Sequence, residues 1–198
     1  MNNYDQMLCA ARRRFLEYDP AVLARRTGVT DGGECLITCF LGQQALIRKT
    51  DGTVFLDGRP AGFEEGLSVY DWLCDRKPDA EAAMEFCPVS SLPGVYVGGS
   101  GLTISSPALA REIHENPGKF AEVCARLGAS TETMGDLGFR LKIFPDLPMC
   151  LKFYFGDEEF PPTLTLLWDK NTLRFVRYET VYYIAACLQA RLTAMMKE

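Results

Sequence analysis

Between Glu34 and Leu56 the chain reads ECLITCFLGQQALIRKTDGTVFL, and this stretch decides the fold. Cys35, Ile37 and Cys39 alternate with Leu36, Thr38 and Phe40, the period of two that a strand with one buried face requires. Leu41-Gly42 and Asp51-Gly52 interrupt the alternation with residues that accept the positive φ of tight hairpin turns. Gln44 to Lys49 and Thr53 to Leu56 supply the next two strands, so the spacing predicts a three-stranded antiparallel meander.

A second strand unit lies far along the chain. Phe139, Leu141 and Ile143 alternate, then Met149, Leu151, Phe153 and Phe155, then Leu164 and Leu166. Helical spacing fills most of the remainder. Tyr4 to Tyr18 places Leu8, Ala11 and Phe15 near one face; Asp19 then caps a short helix that Pro20 opens and Gly28 stops. Glu64 to Cys74 puts Leu67, Tyr70, Leu73 and Cys74 on one face. Ser106-Pro107 and Asn116-Pro117 open two consecutive helices, the second ending at Gly128. Tyr178 to Met196 closes the chain as an amphipathic helix with Val181, Ile184, Ala185, Leu188, Leu192 and Met195 inward. A short strand is predicted at Val95 to Val97. Runs of strands and runs of helices, without strict alternation, predict an α+β fold of mostly antiparallel sheet. No repeat, linker or low-complexity tract divides residues 1–198, so a single domain is expected.

Composition narrows the function classes. The chain has 198 residues, 47% hydrophobic and 24% charged, which suits a packed core and not a disordered chain. Its net charge of -5 argues against nucleic acid as a partner, because a phosphate backbone needs clustered cations. The one dense basic run, Arg12 to Arg14, reads as a solvated helix face. The long uncharged run from Phe86 to Ala110 is about half Gly, Ser and Pro, a loop composition that speaks against a membrane span. With no export signal, eight cysteines read as free thiols in a reducing, cytoplasmic compartment. Cys9, Cys74, Cys124 and Cys187 fall among apolar neighbours at helical positions, as buried small hydrophobes do.

Few constellations carry chemistry. Asp157, Glu158 and Glu159 follow a strand, Asp169 lies past the next one, and Glu179 opens the last helix. Carboxylates suit hard divalent cations. Alternation lets at most two of the three consecutive acids share a face, so a metal site needs Asp169 or Glu179 to join them. The competing reading is a solvated hairpin tip that protects a sheet edge. Gly98, Gly99, Ser100 and Gly101 form a candidate anion-binding loop, although no complete nucleotide-binding fingerprint follows. Cys35 and Cys39 share a strand face but stand about 13 Å apart, too far for one zinc. His114 is the only histidine and reads as a surface cation near a helix end. Trp72 and Trp168 read as packing.

Leu147-Pro148, then Gly156-Asp157-Glu158-Glu159-Phe160-Pro161, then Leu167-Trp168-Asp169 resemble the family catalogued as domain of unknown function 3786. The glycine-rich hairpins, the helix containing Tyr70 and the turn Leu92-Pro93-Gly94 agree in order and spacing. Trp168 stands where that family usually has Phe. The resemblance implies an origin in anaerobic bacteria or archaea. Some relatives are fused to an iron–sulfur domain of the kind seen in corrinoid proteins of one-carbon metabolism. The cysteines here lack the spacing of a cluster ligand set, so no iron–sulfur motif is expected in this chain.

Two functions remain open at this point. One is a non-catalytic binding or accessory module with a protein partner, serving corrinoid or iron–sulfur enzymes. The other is a metal-dependent small-molecule enzyme built on Asp157, Glu158, Glu159 and Asp169.

Overall fold

The computed structural model describes residues 3–95 and 106–198. Helix α1 (Asn3–Leu16) and helix α2 (Pro20–Thr27) lead into a meander of β1 (Thr30–Asp31), β2 (Cys35–Phe40), β3 (Gln43–Arg48), β4 (Val54–Leu56) and β5 (Arg59–Pro60). These strands pair in sequence order, all antiparallel. Asp19 caps α2 by accepting the Ala21 N–H, and Gly28 ends the helix at φ 72°, as its place in the sequence predicts.

Helix α3 (Phe63–Cys74) follows, then β6 (Phe86–Cys87), α4 (Pro107–Glu115), α5 (Pro117–Arg126), β7 (Ser130–Thr131), β8 (Leu137–Phe144), β9 (Leu147–Tyr154), β10 (Thr163–Asp169), the single turn α6 (Thr172–Phe175) and α7 (Tyr178–Met196). The second sheet runs β6-β10-β9-β8-β7, again antiparallel. The architecture is therefore α+β, with the expected meander and three-strand unit each widened by two-residue edge strands. The predicted strand at Val95–Val97 falls largely outside the described residues. No described helix is long and apolar enough to cross a membrane.

The two sheets meet at the β2–β3 turn. Leu41 and Gly42 carry φ values of 48° and 77°, and the Leu41 N–H donates to the Ile143 carbonyl of β8. A Cβ on Gly42 would meet the Leu127 backbone at 3.2 Å, so glycine serves both the turn and the close approach of α5. Phe40 packs on Phe144 at 5.1 Å between ring centroids, and Trp72 stacks on Phe144 at 4.5 Å. The Trp72 indole N–H finds Asp146 at 3.1 Å, which leaves this large buried side chain with no unmet donor. One continuous cluster of buried side chains joins both sheets and the helices.

Helix α3 departs from the predicted single apolar face, because every residue from Gly66 to Cys74 is buried. Helices α1 and α7 cover its two sides, so the positions that read as polar lie inside and need partners. Ser68 donates to the Glu64 carbonyl. Asp71 accepts from Arg14 at 2.7 Å and from the Thr180 hydroxyl, linking α1, α3 and α7. Arg14 is thus not on a solvated face, and neither is Arg12, which bonds the Asp51 carbonyl and the Thr53 hydroxyl at the meander's second turn. Only Arg13 of that run is exposed.

Candidate functional site

Both expected strand ends carry their acids, but in different surroundings. Asp157 sits in the loop between β9 and β10, where its carboxylate accepts the Phe160 and Glu159 amides at 2.8 and 2.9 Å. Those two donors, Phe160 first, hold its carboxyl below the usual range. Glu158 and Glu159 are exposed beside it, as is Glu179 in the first turn of α7. Asp169 lies at the opposite end of β10, about 20 Å along the strand. It is fully buried and accepts the backbone amides of Ala83, Met84 and Asn171 at 2.9, 2.7 and 2.8 Å. The chain therefore does not bring Asp157 and Asp169 together. Among the described residues no three His, Cys, Asp or Glu side chains cluster as a metal site would need.

The remaining candidates divide similarly. Gly98, Gly99, Ser100 and Gly101 lie outside the described residues. His114 is exposed on α4, stacks edge-on against Phe155, and accepts the Gly156 N–H through Nδ1 at 3.2 Å. This contact steadies the start of the acidic loop. All eight cysteines are free thiols. Burial pushes Cys74 up to about 11 and Cys124, Cys150 and Cys187 up to about 12, so these four are protonated and unreactive at neutral pH. Cys9 departs from the buried reading, for it lies on the outer face of α1.

Sequence reasoning missed a concavity beside α7. A cleft of about 550 Å³ runs along α7, a volume that suits a small molecule. One wall is the β2–β3 turn at Phe40 and Leu41, another is the step from β5 into α3, and the floor is a row of alanines on α7 at positions 186, 190 and 194. These residues lie one helical turn apart, so the backbone of α7 is open to an occupant along the whole row.

Charge in the cleft is arranged in pairs with two exceptions. The Arg59 guanidinium grips Glu65 through two bonds, at 2.8 and 2.5 Å, and Glu65 also accepts the Gly62 N–H at the start of α3. Arg59 foremost keeps the Glu65 carboxyl below the usual range. At the far end Glu198 pairs with Arg126 at 2.6 Å. Arg191 has no such partner. It is half-buried, its Nε is shielded and unbonded, and it makes no hydrogen bond or ion pair with any described residue. Burial foremost pulls its guanidinium below the usual value, with the Asp57 carboxylate opposing that shift. Arg14, Arg26 and Arg76 also bury an unbonded Nε, yet each bonds through a terminal nitrogen. The second is Glu64, which lines the cleft, makes no side-chain bond or ion pair with a described residue, and is exposed to solvent.

Residues 19–191 match the family described as domain of unknown function (DUF3786). The chain belongs to that family. The matched span takes in both strand units, the acidic loop and the charged residues of the cleft up to Arg191, its last position. No curated protein and no solved structure matches the chain. For DUF3786 the cleft thus has to be read from its own chemistry.

The signal that could have found it is modest. Ala186, Ala190 and Ala194 form a small-residue row on the face of α7 away from Val181 and Leu188, and Arg191 stands beside it. Periodicity shows such a row but does not show what faces it.

Proposed function

We propose that this DUF3786 protein is a non-catalytic binding module whose α7 cleft receives a small ligand through an anionic group, with Arg191 as its counter-ion. The observation that carries the reading is Arg191, half-buried in the wall of a cleft of about 550 Å³ and without a hydrogen bond or ion pair to any described residue. A buried cation without a partner costs stability, and a carboxylate that accepts two guanidinium hydrogen bonds replaces the lost hydration. The apolar walls supply contact area and the paired charges at either end set the limits of the site. No nucleophile with an activating base lines it, since the Cys187 thiol stays protonated. Residues 1–198 act as one domain in this reading, supported by the continuous core. An accessory place beside corrinoid or iron–sulfur enzymes of anaerobes rests on the family resemblance.

The test is isothermal titration of the native chain with simple carboxylates, from propionate to 4-methylpentanoate. Heat of binding that disappears in Arg191→Gln and persists in Arg13→Gln is the expected result. Binding that is equal in Arg191→Gln and the native chain overturns the reading, as does no binding of any carboxylate.

A further inference from the structure

The cleft is not uniform along α7, and the contacts around it fix which end is polar. Toward the start of the helix, the first turn of α3 packs through the Phe63 ring on Tyr183 at 5.5 Å between centroids, about two helical turns before Arg191. That end holds the Arg59–Glu65 pair and the exposed Glu64. At the other end the β2–β3 turn lies against α5, where a Cβ on Gly42 would meet the Leu127 backbone at 3.2 Å and the adjoining Arg126 reaches Glu198 at 2.6 Å. Phe40 and Leu41 thus stand beside the last turns of α7, with Ala194 and Met195.

Arg191 lines the cleft between these ends, and from it the trough turns apolar toward the C-terminus. Phe40, Leu41, Ala194 and Met195 supply no side-chain hydrogen-bond donor, and Gln43 beside them gives its amide N–H to Asp57 at 3.0 Å. The methyl groups of Ala190 and Ala194 are open to an occupant. At about 1.5 Å per residue the chain rises about 10 Å from position 191 to the Glu198–Arg126 pair. An extended alkyl chain, with bonds of about 1.5 Å at near-tetrahedral angles, advances about 1.25 Å per carbon.

We infer that the occupant is a straight-chain aliphatic monocarboxylate of about eight carbons, its carboxylate on the Arg191 guanidinium and its tail over Ala194 toward Phe40, Leu41 and Met195. This deepens the anion-binding reading and rests on it. Charge complementarity at Arg191 sets the head group, and the donor-free end of the trough sets the tail. A much shorter acid answers the cation but leaves most of a cleft of about 550 Å³ to water. A sugar acid or a peptide terminus would place hydroxyls or amides against walls that offer them no donor. A phosphate dianion would bring two charges to a single unpaired guanidinium.

The experiment is isothermal titration of the full chain with the straight-chain acids from propanoate to dodecanoate, and with octan-1-ol as a tail without the carboxylate. Affinity should rise about fourfold per added carbon, the transfer gain of one methylene, as far as about octanoate and level off beyond it. Arg191→Gln should remove binding of the whole series. Ala194→Phe, which fills the trough, should bring octanoate down to the affinity of butanoate, with thermal unfolding showing that the fold is retained. Acids that all bind through Arg191 with one affinity whatever their length would overturn the aliphatic tail and leave anion binding standing. So would N-acetyl-trialanine binding as tightly as octanoate, which gives the cleft to a peptide terminus. If no acid binds, if octan-1-ol binds as well as octanoate, or if sedimentation velocity shows a dimer that Ala194→Phe dissociates, both readings are overturned.

Discussion

Helix α3 and helix α7 pack against each other, yet they treat charge in opposite ways. On the α3 side every buried charge is answered: Asp71 by Arg14 and Thr180, and Arg76, with only 5% of its side chain exposed, by Asp146 at 2.5 Å and by the faces of Trp72 and Phe175. On the outer face of α7, the half-buried Arg191 makes no hydrogen bond or ion pair with a described residue. A folded chain rarely leaves a desolvated charge unmet where a partner is at hand. On the reading proposed above, the contrast separates charges that hold the molecule together from the Arg191 charge, held ready for something outside it.

The largest effect expected from this contrast lies at the α3 junction. Trp72→Ala removes the stacked partner of Phe144 and the donor to Asp146, and should cost about 3–5 kcal/mol in equilibrium urea unfolding. Next comes Asp71→Ala, which leaves Arg14 facing only Asp75 and should cost about 2–3 kcal/mol. The same denaturation curve checks it, and a loss below about 0.5 kcal/mol would place Asp71 with the dispensable surface charges.

Asp169→Asn should cost about 1–3 kcal/mol, because an amide cannot accept all three backbone N–H groups that the buried carboxylate holds. Faster hydrogen exchange at Ala83 and Met84 would locate the loss. The acid limb of stability offers a smaller effect. The Glu65 carboxyl lies below its usual value when folded, so its contribution is complete above that value and is lost as pH falls through the folded one. Glu65→Gln should flatten this part of the stability profile below about pH 4.5 by less than about 1 kcal/mol, since Arg59 is largely exposed. Smallest of all, Arg191→Gln should change unfolding by no more than about 0.5 kcal/mol in the destabilising direction, and a gain is consistent with relieving an unpaired cation.

The sequence made the regular parts legible because they follow local rules. The alternation in β2 and β8–β10, the Asp19 and Ser106 caps, and the inward stripe of α7 all depend on near neighbours. The edge strands were beyond pattern reading, since two residues carry no period. Asp57-Gly58, with φ of 47° and 82°, was a usable turn signal for β5 that the strand reading passed over. The all-round burial of α3 was illegible for another reason. Asp71 and Ser68 look solvent-facing until Arg14 and Thr180, 57 and 109 residues from Asp71 in sequence, are placed against them. The candidate site failed to show for the same reason: the acids at 157–159 and 169 are close in sequence but occupy opposite ends of β10. The cleft instead unites residues near 40, 60 and 190, and only tertiary packing brings those together.

The central claim, that Arg191 is held for an external anion, is tested most directly by native mass spectrometry of the protein as purified under gentle conditions, with simple carboxylates added in a second series. The account predicts a stoichiometric small-molecule adduct on the native chain that is absent from Arg191→Gln and unchanged in Arg13→Gln. An adduct that survives Arg191→Gln undiminished, or a native chain that stays bare in both series, would contradict it.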